Sequence, residues 1–154
     1  KFENFFNQHF EPVLKEAAKF GVDPASMLGL AAHESNWGTS NQATNMNNPF
    51  GHTPNGKNPT PFPSLQAAWQ VWGTTHGPRI KDTGSDAEEF VDRLLQDNRN
   101  VYGPTIGGDR LGAYNDPKFG DRNWKPKVLG VIQSIRNRLP RWQGERNMIP
   151  RREE

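Results

Sequence analysis

The sequence has no cysteine, and that absence excludes a disulfide framework, a thiolate nucleophile and any cysteine-ligated zinc. Long apolar runs are missing too, and nothing approaches the roughly 18 residues of a membrane-spanning helix. There is no basic-then-apolar leader at the N-terminus, and a start at Lys1 fits a removed leader or a larger parent chain. The histidines at 9, 33, 52 and 76 show no metal-binding spacing, and the string from Gly103 to Gly108 holds no phosphate-binding pattern, so no metal and no cofactor are expected. Acidic residues are absent from the whole interval between Glu34 and Asp82.

What is present points to a small aromatic core. Only 32% of the 154 residues are hydrophobic, which is low for a globular domain, yet nine Phe and five Trp concentrate apolar area in few side chains. At this length one domain is expected. Gly and Asn occur 15 times each beside 13 Pro, a composition that favours ordered loops over regular structure.

Apolar periodicity predicts about five helices. Residues 2–20 carry Phe2, Phe5, Phe6, Phe10, Val13, Leu14, Ala17 and Phe20 at helical spacing, with a break or restart at Pro12 and Gly21 as C-cap. Asp23-Pro24 reads as an N-cap and first-turn proline, opening a helix that ends before Gly38 with Glu34 in its last turn. Residues 36–63, rich in Asn and Pro, read as one long loop, which in a small domain points to function or disorder. Helices are predicted again from Ser64, from a capping box at Ser85 and Glu88, and from Pro126 to a stop at Pro140. This gives a mostly α domain over 1–140 with a polar tail over 141–154. The tail and last helix hold ten basic and four acidic residues from 118 onward. A solvated face accounts for them more simply than a patch for nucleic acid or another polyanion, so no nucleic-acid or membrane partner is expected.

The stretch from Ala31 to Gly38, followed by Asn47-Asn48-Pro49-Phe50-Gly51, carries the chemistry. A glutamate at a helix C-terminus meets the negative end of the helix dipole, and small or apolar neighbours with Trp37 nearby would desolvate it. Both effects hold the proton on Glu34, as a glycosidase general acid requires. On spacing alone, a solvated carboxylate at a frayed helix end, where most glutamates sit, is the simpler reading.

The same stretch resembles the signature of the peptidoglycan glucosaminidases of glycoside hydrolase family 73. Ala32, Glu34, Ser35, Trp37, Gly38, Ser40, Ala43, Asn47, Asn48, Phe50 and Gly51 fall in register with it, with Pro49 where the family has leucine. Downstream, the segment from Phe62 to Trp72 is similar to the stretch beyond the family's substrate loop. Arg99-Asn100-Val101-Tyr102 resembles its Arg-Tyr turn, and Ala113-Tyr114-Asn115-Asp116-Pro117 its Tyr-Ala-Thr-Asp-Pro motif. The likeness spans residues 10–139.

It implies a lysozyme-like single domain with a long substrate loop, cleaving the β-1,4 bond after N-acetylglucosamine in peptidoglycan. Glu34, Tyr114 and Asp116 become the catalytic candidates, and Trp37, Asn47, Asn48, Phe50 and Tyr102 the substrate-binding ones. The family's β-hairpin, which supplies a second acid, has no room here, since Gly51 reaches Phe62 in ten intervening residues. Two routes remain. In one, the substrate's own 2-acetamido oxygen attacks the anomeric carbon and Tyr114 steadies the intermediate. In the other, a distant acid, Asp116 or Asp82, activates water. The place of Tyr114 in the matching motif favours the first. A muramidase, a lytic transglycosylase and a non-catalytic glycan-binding or scaffold domain stand as alternatives. The expected partners are glycan strands and, for a delivered antibacterial toxin, a neutralising immunity protein. The chain is expected to be monomeric and to act in the periplasm or cell wall.

Overall fold

The computed structural model of the chain describes residues 2–51, 60–98, 112–118 and 120–148. In α1 (Phe2–Phe20), Phe5, Phe6, His9, Phe10, Val13, Glu16 and Ala17 form the buried face. The expected break at Pro12 is absent. Burying Phe10 and Val13 on either side of it outweighs the roughly 3 kcal/mol cost of an interior proline. Gly21 then stops the helix in the left-handed region, at φ 67°.

Helix α2 (Pro24–Ser35) opens as predicted, with the Asp23 carboxylate accepting from the Ala25 N–H at 2.9 Å and proline in the first turn. Every residue from Ala25 to Ala32 is buried, which makes α2 the central helix. The stretch after it is not one unbroken loop, because α3 (Asn41–Met46) lies within it, capped by the Ser40 hydroxyl. Six residues with one buried side chain, Ala43, leave too little apolar period to betray a helix.

Ser64 caps α4 (Leu65–Ile80) as predicted, accepting from the Ala67 N–H at 3.0 Å. The cap of α5 (Ala87–Leu95) is Asp86 and not Ser85; its carboxylate takes the Glu89 N–H at 3.0 Å. Helix α6 (Trp124–Met148) begins two residues before Pro126 and passes through Pro140. The stop at Pro140 and the polar tail from 141 are therefore corrected: Trp142 is buried, its ring 5.5 Å from Phe6 and 5.2 Å from Phe10. That packing carries the helix across the proline.

The described residues thus form six helices and no strand, with one isolated bridge between Val22 and Gly84. No described helix is long and apolar enough to cross a membrane. Helix α2 packs against α1 on one side and α6 on the other, and α1 also packs on α4. Glycines set two of these crossings. A Cβ on Gly29 of α2 would sit 2.5 Å from Ile132 Cγ1 and 2.8 Å from its Cα, and one on Gly77 of α4 would meet the Phe20 ring at 2.3 Å. Trp124 lies beside His33, and Arg136 pairs with Asp23 at 3.2 Å. Helices α2 and α6 therefore run in opposite directions.

His9 links α1 to α4. It is buried, stacked on Phe5 at 4.5 Å, and its Nδ1 accepts from the Trp69 indole N–H at 3.1 Å. Burial pushes its imidazole down to about 4 from 6.5. The unfolded chain binds this proton below pH 6.5 and the native chain only near pH 4, so stability drains as pH falls through that window, by roughly 3 kcal/mol in all. Thermal melts should show a falling transition temperature from about pH 7 to about 4.5, with a shallower fall in His9→Gln. Equal pH slopes in the two proteins would contradict this placement of His9.

Candidate active site

The end of α2 is built around Ser35. Its buried hydroxyl donates to the Ala31 carbonyl at 2.6 Å and accepts from the Gly38 N–H at 2.8 Å, while its carbonyl takes the N–H groups of Thr39 and Ser40. The chain turns sharply there, with Asn36, Trp37 and Gly38 all at positive φ. Glycine meets that demand freely; Asn36 and Trp37 accept a strained backbone. This turn fixes Glu34 in the last helical turn, half-buried and facing the start of α6.

Two effects act on the Glu34 carboxyl. Burial raises its pKa, and the Trp124 indole N–H, which donates to it, lowers it; burial is the larger. No described carboxylate contributes. The Trp124 ring lies 5.8 Å from Tyr114 and 6.4 Å from His33. His33 is half-buried. Burial holds its imidazole below the ordinary value, Lys127 adds to this, and Asp121 opposes it.

Tyr114 packs beside Trp124. Its hydroxyl accepts from the Trp72 indole N–H at 3.2 Å, and its ring meets His76 at 5.0 Å. Burial, reinforced by the charge on Glu34, pushes the phenol far above its ordinary value. The phenol therefore keeps its proton, and with Trp72 donating to its oxygen the Tyr114 hydroxyl still has its own O–H to donate. Trp72 is buried in the core, and its indole also holds the Tyr114 hydroxyl. Phe50 joins this cluster, stacked on Trp72 at 5.6 Å and edge-on to Trp69 at 4.6 Å. Trp37, half-buried, packs against Phe2 and Phe5 at 4.5 and 5.5 Å.

The remaining candidates fall elsewhere. Asn48, expected to face sugar, is fully buried, and its amide donates to the Thr60 carbonyl at 2.9 Å. Asn47 ends α3 in the left-handed region and donates to the Phe62 carbonyl at 3.1 Å. Both amides tie the two sides of the loop together, as a turn demands. Asp116 is exposed, and its carboxylate accepts from the Lys118 N–H at 2.7 Å, which makes it a turn residue. Asp82 sits at the opposite end of α2: its N–H donates to the Phe20 carbonyl at 2.7 Å. The length of α2 separates it from Glu34 by about 15 Å at roughly 1.5 Å per residue, which removes it as the water-activating acid. Tyr102 and the Arg99 turn lie outside the described residues. No group of three metal-ligating side chains occurs among the described residues.

Sequence reasoning missed Trp124. It stands far along the chain from Glu34, just ahead of the apolar period of α6, and only the reversed direction of α6 against α2 brings the two together.

The family model described as glucosaminidase, mannosyl-glycoprotein endo-beta-N-acetylglucosaminidase, matches residues 11–137. No curated protein sequence matches the chain. Among solved structures it is similar to a type VI secretion system effector-immunity complex from Pseudomonas protegens, at 22% identity over 90% of this chain and 94% of that one, with a TM-score of 0.66. It is also similar to a peptidoglycan hydrolase from Sphingomonas sp. A1, at 19% identity over 98% of each chain and a TM-score of 0.67. A glutamate-to-alanine mutant of a Sphingomonas sp. A1 peptidoglycan hydrolase matches at 18% identity over 91% of this chain and 97% of that one, again at 0.67. At these identities the likeness is one of fold.

The opposed influences on Glu34 give a pH prediction. In Trp124→Phe the carboxylate loses a donor while its pocket keeps an aromatic wall, so its pKa rises. The alkaline limb of the activity profile, where a general acid loses its proton, should move to higher pH. A limb that stays put or moves to lower pH would count against the hydrogen bond.

Proposed function

Because the chain belongs to the glucosaminidase family, we propose that it is a peptidoglycan hydrolase cleaving the β-1,4 bond after N-acetylglucosamine, with Glu34 as general acid. The observation that carries this reading is the lodging of Glu34: half-buried, hydrogen-bonded to Trp124 and close to the Tyr114 phenol, with no described carboxylate acting on it.

A proton held by burial is available to the leaving sugar oxygen. With Asp82 at the far end of α2 and Asp116 committed to a turn, the substrate's 2-acetamido oxygen is the internal nucleophile. As Glu34 protonates the leaving oxygen, the acetamido oxygen bonds to the anomeric carbon and the glycosidic bond breaks, giving a cyclic oxazolinium ion. The Tyr114 O–H donates towards the acetamido group and holds it in line. Water then attacks the anomeric carbon, Glu34 takes its proton back, and the ring opens to a reducing N-acetylglucosamine end. Trp37 and Phe50, both half-buried, offer aromatic faces on which sugar rings can stack.

The fold of the Pseudomonas protegens effector-immunity complex supports a finer reading, in which the chain is a delivered antibacterial effector acting in the periplasm, held in check in its producer by an immunity protein. Mass spectrometry of digested sacculi should find reducing N-acetylglucosamine ends. Reducing or anhydro-muramic ends would place the chain instead among muramidases or lytic transglycosylases. Glu34→Gln should lower turnover by about 100-fold or more and abolish lysis of a Gram-negative host carrying the chain in its periplasm. Equal activity in wild type and variant would overturn the role of Glu34, and glycan binding without cleavage by either would leave a scaffold domain.

A further inference from the structure

Three residues on one face of α4, Trp72, His76 and Arg79, follow the i, i+4, i+7 spacing of a helical stripe. The first two already touch Tyr114, through its hydroxyl and its ring. The third reaches the backbone that carries it. Arg79 is buried in the last turn of α4. One guanidinium nitrogen donates to the Gly112 carbonyl at 3.1 Å, and the other to the carbonyls of Leu94, at 3.0 Å, and Gln96. The Leu94 carbonyl is also the acceptor of the Tyr114 N–H, at 2.8 Å.

We propose that Arg79 is a positioning residue for the reaction, a clamp that fastens the end of α5 to the Gly112–Tyr114 segment and so holds the Tyr114 hydroxyl beside Glu34. This rests on the reading of Tyr114 as the group that steadies the acetamido intermediate.

The chemistry of the site supports a guanidinium in particular. Taking a cation out of water is costly unless its donors find partners, and a planar fork with five N–H groups can serve several backbone carbonyls at once. A lysine ammonium at the same place would supply the charge without the fork. The segments so joined are separated by the chain between 98 and 112, so the clamp fixes a contact that local sequence does not. Its positive charge also acts on the Tyr114 phenol, opposing the effect of burial.

The test is a double-mutant cycle with a spectroscopic companion. In Arg79→Lys, kcat should fall by about 10- to 100-fold, the cost of a small misplacement, while KM changes little. In a Tyr114→Phe background the same substitution should cost nothing further, since residues acting through one group are non-additive. The protein has two tyrosines, and after fluorotyrosine labelling the resonance missing from Tyr114→Phe reports Tyr114. That resonance should shift or broaden in Arg79→Lys and in Arg79→Met, measured on the folded fraction fixed by thermal melts; if Arg79→Met does not fold, Arg79→Lys alone carries the comparison. An unmoved resonance, or a loss in kcat that persists undiminished without the Tyr114 hydroxyl, overturns the proposal. If Tyr114→Phe itself keeps full kcat, the catalytic reading of Tyr114 fails, while the fluorine resonance still decides whether Arg79 holds the ring.

Discussion

The crossing of α2 and α6 at Gly29 governs the rest of the molecule. A side chain there would run into the Ile132 backbone, so only glycine lets the two helices approach so closely. The approach fixes their opposite directions, tied at one end by Arg136 and Asp23 and at the other by Trp124 against the last turn of α2. Glu34 is therefore placed by helix packing, ahead of any loop. The Ser35 turn then ends α2, and the buried Asn48 ties the loop that follows to Thr60.

Electrostatically the site is a compromise. A carboxyl with no hydrogen-bond donor in an aromatic pocket would hold its proton too tightly to give it up, and one in open water would not keep it near neutral pH. Burial and the Trp124 N–H act on Glu34 in opposite senses, and burial prevails. The same logic repeats where the Trp72 indole N–H donates to the Tyr114 hydroxyl. Indole N–H groups thus do in this chain what charged partners do elsewhere: Trp69 serves His9 in the same way. Five tryptophans in a chain with few aliphatics supply both the core and its buried donors.

Much of this was legible in the sequence because it is local. The Asp23-Pro24 start, the Gly21 stop and the Ser64 cap follow from short-range hydrogen bonding, and Glu34 at a helix end follows from them. Misreadings arose where tertiary packing overrides a local rule. Pro12 and Pro140 fail to break their helices because aromatic side chains beside them are buried, and α3 is too short to show a period. In the site, Asn48 and Asp116 were legible only as polar residues in a suggestive motif; whether a polar side chain faces a ligand or spends itself on the backbone depends on contacts made by distant segments. Trp124 and Arg79 escaped for the same reason, each acting on residues far away in sequence.

On the proposed reading, with Glu34 beside the Tyr114 phenol and with Asp82 and Asp116 placed elsewhere, the reaction takes its nucleophile from the substrate. Two successive displacements at the anomeric carbon, the first by the acetamido oxygen and the second by water, return the original configuration, whereas direct attack by an activated water inverts it. Proton NMR of a soluble glycan oligomer, recorded in the first moments of digestion before the anomers equilibrate, reads this directly. Substrate assistance predicts that the β-anomer of the new reducing end appears first; initial release of the α-anomer would contradict it.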